Sequence, residues 1–276
     1  MQMEIMNRII VQQGEPETII KRLKDYILPI DAKWLQRIKA ASEESMKKLK
    51  KILRMEEIGL EFPEVFIQLA KFAGESDGGL FEETSTSLSI TDLINRNEEL
   101  YDSKNGALNP YYFSFLHDQL EFEYIIDLRD GKNQAVYFSE YWKVIDEFDI
   151  VSECFEKFLC QCATKLYEYS YFPYSVGFDT TVRSLHESFL GKSKVDPFEY
   201  LRILSDKYKL QKAWFSDKCF YFAYSSDLSL VITKKIFSNA NDISIYGVLA
   251  SNNKELLEQL EEDFLIKIGA TIYRDK

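Results

Sequence analysis

The side chains best suited to acid–base, nucleophilic or metal chemistry are few and scattered in this chain of 276 residues. The two histidines, His117 and His186, stand 69 residues apart. Ser114 neighbours the first in sequence and Ser184 the second, but neither serine sits in a GxSxG elbow, the tight turn that presents a nucleophile. No HExxH zinc motif, no GxGxxG or GxxxxGK[ST] phosphate loop and no DxDxDG calcium loop occurs. The four cysteines are Cys154, Cys160, Cys162 and Cys219. On a helix, two residues apart means about 200° apart, so Cys160 and Cys162 are badly placed to chelate one ion. Reduced thiols without metal are expected, as is usual for an intracellular protein. The chain therefore reads as a binding protein rather than an enzyme, with no catalytic residue and no cofactor.

Carboxylates are the abundant functional groups. The net charge of −11 is unevenly spread: residues 21–54 carry +7, and residues 55–168 carry −16, with 24 acids against 8 bases. The basic run Lys47, Lys48, Lys50, Lys51 and Arg54 falls at the C-terminal end of a predicted helix, where cations complement the helix dipole. An acidic middle repels nucleic acid and favours a basic partner. Within it, LEFEYIIDL (120–128) alternates: Leu120, Phe122, Tyr124, Ile126 and Leu128 on one face, Glu121, Glu123, Ile125 and Asp127 on the other. Read as a half-buried strand, it projects Glu121 and Glu123 from one face about 7 Å apart. Glu121, Glu123, Asp127, Asp130, Glu82 and Glu83 are the candidate partner-binding residues. The aromatic runs Tyr111–Tyr112–Phe113 with Phe115, and Phe220–Tyr221–Phe222 with Tyr224, are expected in the core, because the surrounding negative charge opposes base stacking.

The elements that must position these groups can be read from periodicity and turn chemistry. A helix is predicted over 16–28, ended by Pro29, and another over 32–54 that Asp31 caps and whose apolar stripe begins at Trp34. LEFPEVFIQLAKFAG (60–74) places Pro63 at a helix start and Gly74 at its end. Residues 75–87, with Gly78 and Gly79, read as a loop; a short strand and a helix capped by Thr91 or Asp92 follow. The Asp130–Gly131 turn joins residues 120–128 to QAVYFSE as a hairpin. His117 reads as part of a turn, and a helix spans about Ser152 to Tyr167. Beyond a boundary at 167–175, helices near 179–190 and 196–208, strands in KAWF, CFYFAYS, LSLVITKK and ISIYGVLA, a helix from Lys254 and a last strand ATIY make a second α+β unit.

Four of these pieces, in order, resemble the SUKH superfamily, which includes regulators of cell-wall assembly and bacterial toxin-immunity proteins. Trp34 opens the first helix. LEFPEVFIQLAKFAG is similar to the family's leucine–proline–acidic–aromatic helix, with Pro63 and Gly74 at its ends. YIIDLRDGKNQAVYF (124–138) resembles the central hairpin. SECFEKFLCQC (152–162) resembles the closing helix, with Phe155 and Phe158 as its phenylalanine pair. The sequence departs from the family at FSFLHDQLEFE (113–123), which lacks the usual glycine-rich turn before the central strand.

The expected fold is α+β. A SUKH-like mixed or antiparallel sheet packed with helices is expected over 31–168, after an N-terminal helical extension (1–30) and before a smaller C-terminal α+β domain (172–276). The resemblance implies an immunity-type protein that blocks a toxin by protein–protein contact, the toxin being a basic, nuclease-like domain. The alternative it implies is a regulatory scaffold of the cell-wall-assembly-regulator type. No apolar run approaches the ~20 residues that span a bilayer, and the N-terminus lacks a signal-peptide pattern. A cytoplasmic protein that binds neither membrane nor nucleic acid is expected, with the oligomeric state left open.

Overall fold

The computed structural model describes residues 18–82, 86–102, 111–117, 122–131, 134–140, 149–181, 197–234, 244–266 and 269–274. They fall into two compact units, 18–166 and 167–274. The fold is α+β.

The first unit opens on α1 (Ile19–Ile27), which is not a detached extension. Ile19, Leu23, Tyr26 and Ile27 are fully buried, and the buried guanidinium of Arg22 pairs with Glu156. The single helix predicted over 32–54 is instead broken. A one-turn α2 (Trp34–Arg37) leads into β1 (Ile38–Lys39), and α3 (Glu43–Ile52) starts afresh. One local fact and one long-range pairing explain the break. Ser42 caps α3, its Oγ accepting the Ser45 N–H at 3.0 Å, with Glu43 and Glu44 against the positive helix end. Ile38–Lys39 pairs instead with β2 (Ser76–Asp77). A turn of helix, α4 (Met55–Ile58), precedes α5 (Glu64–Ala73), bounded by Pro63 and Gly74 as the sequence implies.

Residues 86–89, where a short strand is expected, form none before α6 (Ile90–Asp102), and neither Thr91 nor Asp92 caps it. Ser89 does so, accepting the Asp92 N–H at 3.2 Å. The central sheet is four antiparallel strands in chain order: β3 (Tyr112–His117), β4 (Phe122–Asp127), β5 (Val136–Glu140) and β6 (Asp149–Ser152). His117 ends a strand opposite Glu123 rather than lying in a turn, and Asp149–Ser152 is a strand ahead of the closing helix α7 (Phe155–Tyr167). A register shift between Ser114 and Leu116 turns Phe115 towards α7, where its ring meets Phe155 at 5.0 Å and Phe158 at 5.7 Å. Phe62, Phe66 and Phe113 extend this edge-to-face aromatic core, and Trp34, Phe155 and Phe158 are all buried.

The second unit is a six-stranded antiparallel sheet. Its strands are β7 (Tyr174–Thr181), β8 (Gln211–Lys212), β9 (Phe220–Tyr224), β10 (Leu228–Lys234), β11 (Ser244–Ser251) and β12 (Thr271–Tyr273), in the order β12-β7-β11-β10-β9-β8. Helices α8 (Pro197–Lys207) and α9 (Lys254–Leu260) bury Leu201, Leu204, Leu257 and Leu260 in one core with Phe178, Leu230, Ile232 and Leu249 of the sheet. Residues 179–181, predicted to begin a helix, end β7 instead, because Val176, Phe178 and Thr180 alternate inward with period two. Beside them Gly247 has no side chain because a Cβ there would run into the Phe178 ring.

All four cysteines are free: Cys160 and Cys162 are buried, Cys154 and Cys219 partly so. Burial pushes the Cys160 thiol far above its ordinary range, and the Cys154 thiol moves up for the same reason. A thiol-reactive dye should therefore label Cys160 and Cys162 only on unfolding, and the denatured chain should titrate four thiols. Mass spectrometry finding a disulfide, or metal analysis finding a stoichiometric ion, would contradict this.

Candidate functional site

The strand face proposed from sequence as an exposed acidic patch is covered. β4 buries Glu123, Ile125 and Asp127 on the face the alternation had assigned to solvent, and Arg96 of α6 reaches Glu123 there. The carboxylate of Glu123 is an internal bracket: Arg96 of α6 donates to it from Nε and Nη2, and the Ser114 hydroxyl donates to its other oxygen. Burial pushes this carboxyl above its ordinary value, and the hydrogen bond from Ser114 and the Arg96 charge oppose the shift. Ser114 is fully buried in this role, so it is not a nucleophile awaiting a base.

Asp127 is spent similarly. It accepts the Arg129 N–H at 2.9 Å and grips the Arg129 guanidinium through both oxygens, while Arg129 Nη2 also donates to Tyr112 Oη at 3.0 Å. Burial alone would raise the Asp127 carboxyl, but these Arg129 contacts outweigh it and hold it below the ordinary carboxylate range. Asp130, beside it, is exposed, and partial burial and the Asp127 charge push its carboxyl up. Glu121 and Glu83 lie outside the described residues, as do His186, Ser184 and Asp118. Of the six candidates, only Asp130 and Glu82 are exposed in the described structure.

Glu82 belongs to a different site. The chain leaving α5 at Gly74 forms β2, turns sharply at Gly78 and Gly79, and comes back to the N-terminus of α6. Between these segments lies a cleft of about 460 Å³ lined by Glu75, Asp77, Glu82 and Asp92, with Ser76, Ser87 and Ser89 among the remaining polar groups. Its position is fixed from behind. Trp34, 1% exposed, donates Nε1–H to the Asp77 carbonyl at 3.1 Å, and Arg37 donates to the Gly78 carbonyl at 3.1 Å. Gly78 has φ +69°, and a Cβ there would stand 2.8 Å from the Trp34 ring, so only glycine serves at this point. The Asp77 carboxylate is buried and accepts the Gly79 N–H at 2.7 Å and the Leu88 N–H. Thr91 Oγ1 donates to Glu75 at 3.0 Å, while Glu82 and Asp92 are exposed at the mouth.

The cleft thus presents carboxylates and hydroxyls in a concave surface, which suits a cationic side chain from a partner. Sequence reading found one of its carboxylates, Glu82, and missed Glu75, Asp77 and Asp92. The usable signal was the Asp77–Gly78–Gly79 turn followed by Ser89-x-x-Asp92 at a helix start, two loop ends that a short closed loop brings together. Among the described residues no group of three or more His, Cys, Asp or Glu has metal-binding geometry, and no helix is long and apolar enough to cross a membrane.

No curated protein and no solved structure matches the chain. Residues 41–161 match the family model of the SMI1 / KNR4 family (SUKH-1). That span includes α3 to α6, the four-stranded sheet, the first half of the closing helix with Phe155 and Phe158, and every residue that lines the cleft; Trp34 lies ahead of it. The antiparallel hairpin and the helix bounded by Pro63 and Gly74 fall inside the match at the positions where the sequence resembles the family, and the match supports the likeness of this part of the chain to the SUKH superfamily.

Proposed function

We propose that this chain is a non-enzymatic, immunity-type protein that neutralises a basic toxin domain in the cytoplasm by holding a cationic segment in the cleft of Glu75, Glu82 and Asp92. The observation that supports the reading is the cleft itself: a concave, carboxylate-lined surface on a SUKH-1 domain, in the stretch of chain that carries −16. A toxin that holds phosphate is basic where it does so, and an acidic surface can occupy that place and speed association by steering. Ser114 and Glu123 are engaged with each other in the interior.

The test begins with the product of the gene adjacent to this one, or a protein captured from the native host and identified. Co-expression should abolish its toxicity. Glu82→Lys with Asp92→Lys should weaken binding by about tenfold or more, mostly through slower association, and flatten the salt dependence, with circular dichroism unchanged. Affinity indifferent both to salt and to these reversals would remove the cleft from the mechanism.

A second reading, a regulatory scaffold, draws support from the unit over 167–274, which lies outside the family match and has its own core. A captured envelope-assembly protein whose binding survives the cleft reversals and is lost on substitution of that unit's surface would favour it.

A further inference from the structure

Arg129 is exposed and yet held. It stands in the turn between β4 and β5, with its side chain 47% exposed. Asp127 takes one edge of its guanidinium: Nε donates to Oδ1 at 2.9 Å and to Oδ2 at 3.2 Å, and Nη2 donates to Oδ2. Nη2 also donates to Tyr112 Oη at 3.0 Å, and the buried Tyr112 hydroxyl is itself hydrogen-bonded to Asp127, so the three groups close a ring. The guanidinium carbon lies 5.0 Å from the centre of the Tyr111 ring and 5.4 Å from that of Tyr112, within cation–π range. The backbone beneath is tied as well, the Arg129 N–H to Asp127 Oδ1 and the Leu128 N–H to the Tyr111 carbonyl.

One nitrogen is left over. Nη1 of Arg129, with two N–H groups, has no partner among the described residues. A surface arginine ordinarily loses rotamer freedom when a partner binds; here that ordering is complete beforehand. Arginine and tyrosine are also the residue types that concentrate binding energy at protein interfaces.

We propose that the hairpin end formed by Tyr111, Arg129 and Asp130 is a protein-docking surface, on which Arg129 Nη1 donates to a main-chain carbonyl of the partner. Charge argues for a neutral acceptor over a carboxylate or phosphate. Asp127 already neutralises the guanidinium, and Asp130, exposed beside it, leaves this end of the hairpin net negative. Such a surface turns anions away and tolerates a basic partner. Half-buried Tyr111 supplies apolar area beside the donor. That a partner exists rests on the proposed function, whereas the pose of Arg129 is a property of the free chain, and the two are tested apart.

The free chain comes first. In the full-length, ¹⁵N-labelled protein, relaxation at Arg129 Nε should give an order parameter near that of rigid backbone, about 0.85, and Tyr112→Phe should lower it. A value below about 0.6 in the native chain would overturn the proposal. The product of the adjacent gene is then the probe. Arg129→Lys keeps the charge but loses the planar fork, and should weaken binding about tenfold or more through faster dissociation. Its salt dependence and circular dichroism should be those of the native chain. Tyr112→Phe, which leaves Arg129 in place but looser, should weaken binding less. The cleft reversals carry the opposite signature, slower association and a flatter salt dependence. A probe that responds to those reversals and ignores Arg129→Lys overturns this surface and leaves the proposed function standing. A probe that responds to Arg129→Lys and ignores the reversals keeps the surface and removes the cleft. Binding by neither the adjacent product nor a protein captured from the native host removes the proposed function and this contact with it. Should Tyr112→Phe fail to fold, the native order parameter and Arg129→Lys decide alone.

Discussion

Replacing Trp34 by alanine should lower the unfolding free energy of the unit over 18–166 by about 3–5 kcal/mol, the usual cost of truncating a large buried aromatic. Trp34 is 1% exposed, packs edge-on to Phe72 with ring centroids 5.8 Å apart, backs directly onto Gly78 and donates to the Asp77 carbonyl. Its loss therefore leaves a cavity and also strands a buried acceptor. Because the ring stands behind the Gly78 turn, the cleft should lose definition before the domain unfolds. Denaturation followed by far-ultraviolet circular dichroism measures the first effect, and exchange of the Gly79 amide measures the second. An unchanged midpoint would show that the packing around Trp34 is not as described.

Arg96→Met should cost about 3–5 kcal/mol at pH 7, because it takes the guanidinium away from the buried Glu123 carboxylate and leaves it facing the Ser114 hydroxyl. Methionine keeps much of the volume, so the loss reports charge rather than a cavity. Glu123 already has a raised carboxyl, and without Arg96 it rises further. A raised carboxyl makes the native state bind more protons than the unfolded chain between the ordinary and the raised values. The variant should therefore regain stability as pH falls through that window, and its deficit at pH 5 should be smaller than at pH 7. Denaturant titrations at the two pH values suffice. An equal deficit at both would assign the effect to packing. Glu123→Gln with Arg96→Met should recover part of the loss, since no isolated charge then remains buried.

What periodicity and turn residues determined by themselves was the set of local elements whose signals are local. Pro63 and Gly74 bound α5 because one end tolerates a missing N–H and the other permits a backbone approach that any Cβ would obstruct: at Gly74 it would stand 2.5 Å from the Ala70 carbonyl oxygen. The Asp130–Gly131 turn and its flanking alternation fixed the β4–β5 hairpin, and Phe155 and Phe158, one helical turn apart, announced the buried face of α7. These pieces and their order were enough to point to the family.

The fate of the charges was a tertiary matter. Alternation states that Glu123 and Ile125 share a face; whether that face meets water depends on α6, which returns from 90–102 to lie on it. Arg96 and Glu123 are 27 residues apart, and their attraction has no signature in either segment. The same holds for β1, where Ile38–Lys39 leaves a helical pattern because a strand partner, Ser76–Asp77, becomes available from 38 residues away. The acidic cleft, too, exists only once Trp34 and Arg37 pin the Gly78 turn and Asp77 reaches Leu88. Sequence determined that this chain is acidic and how its elements alternate. Packing decided which carboxylates became internal brackets and which were left facing solvent, because burying a carboxylate is tolerable only where donors from distant segments converge on it.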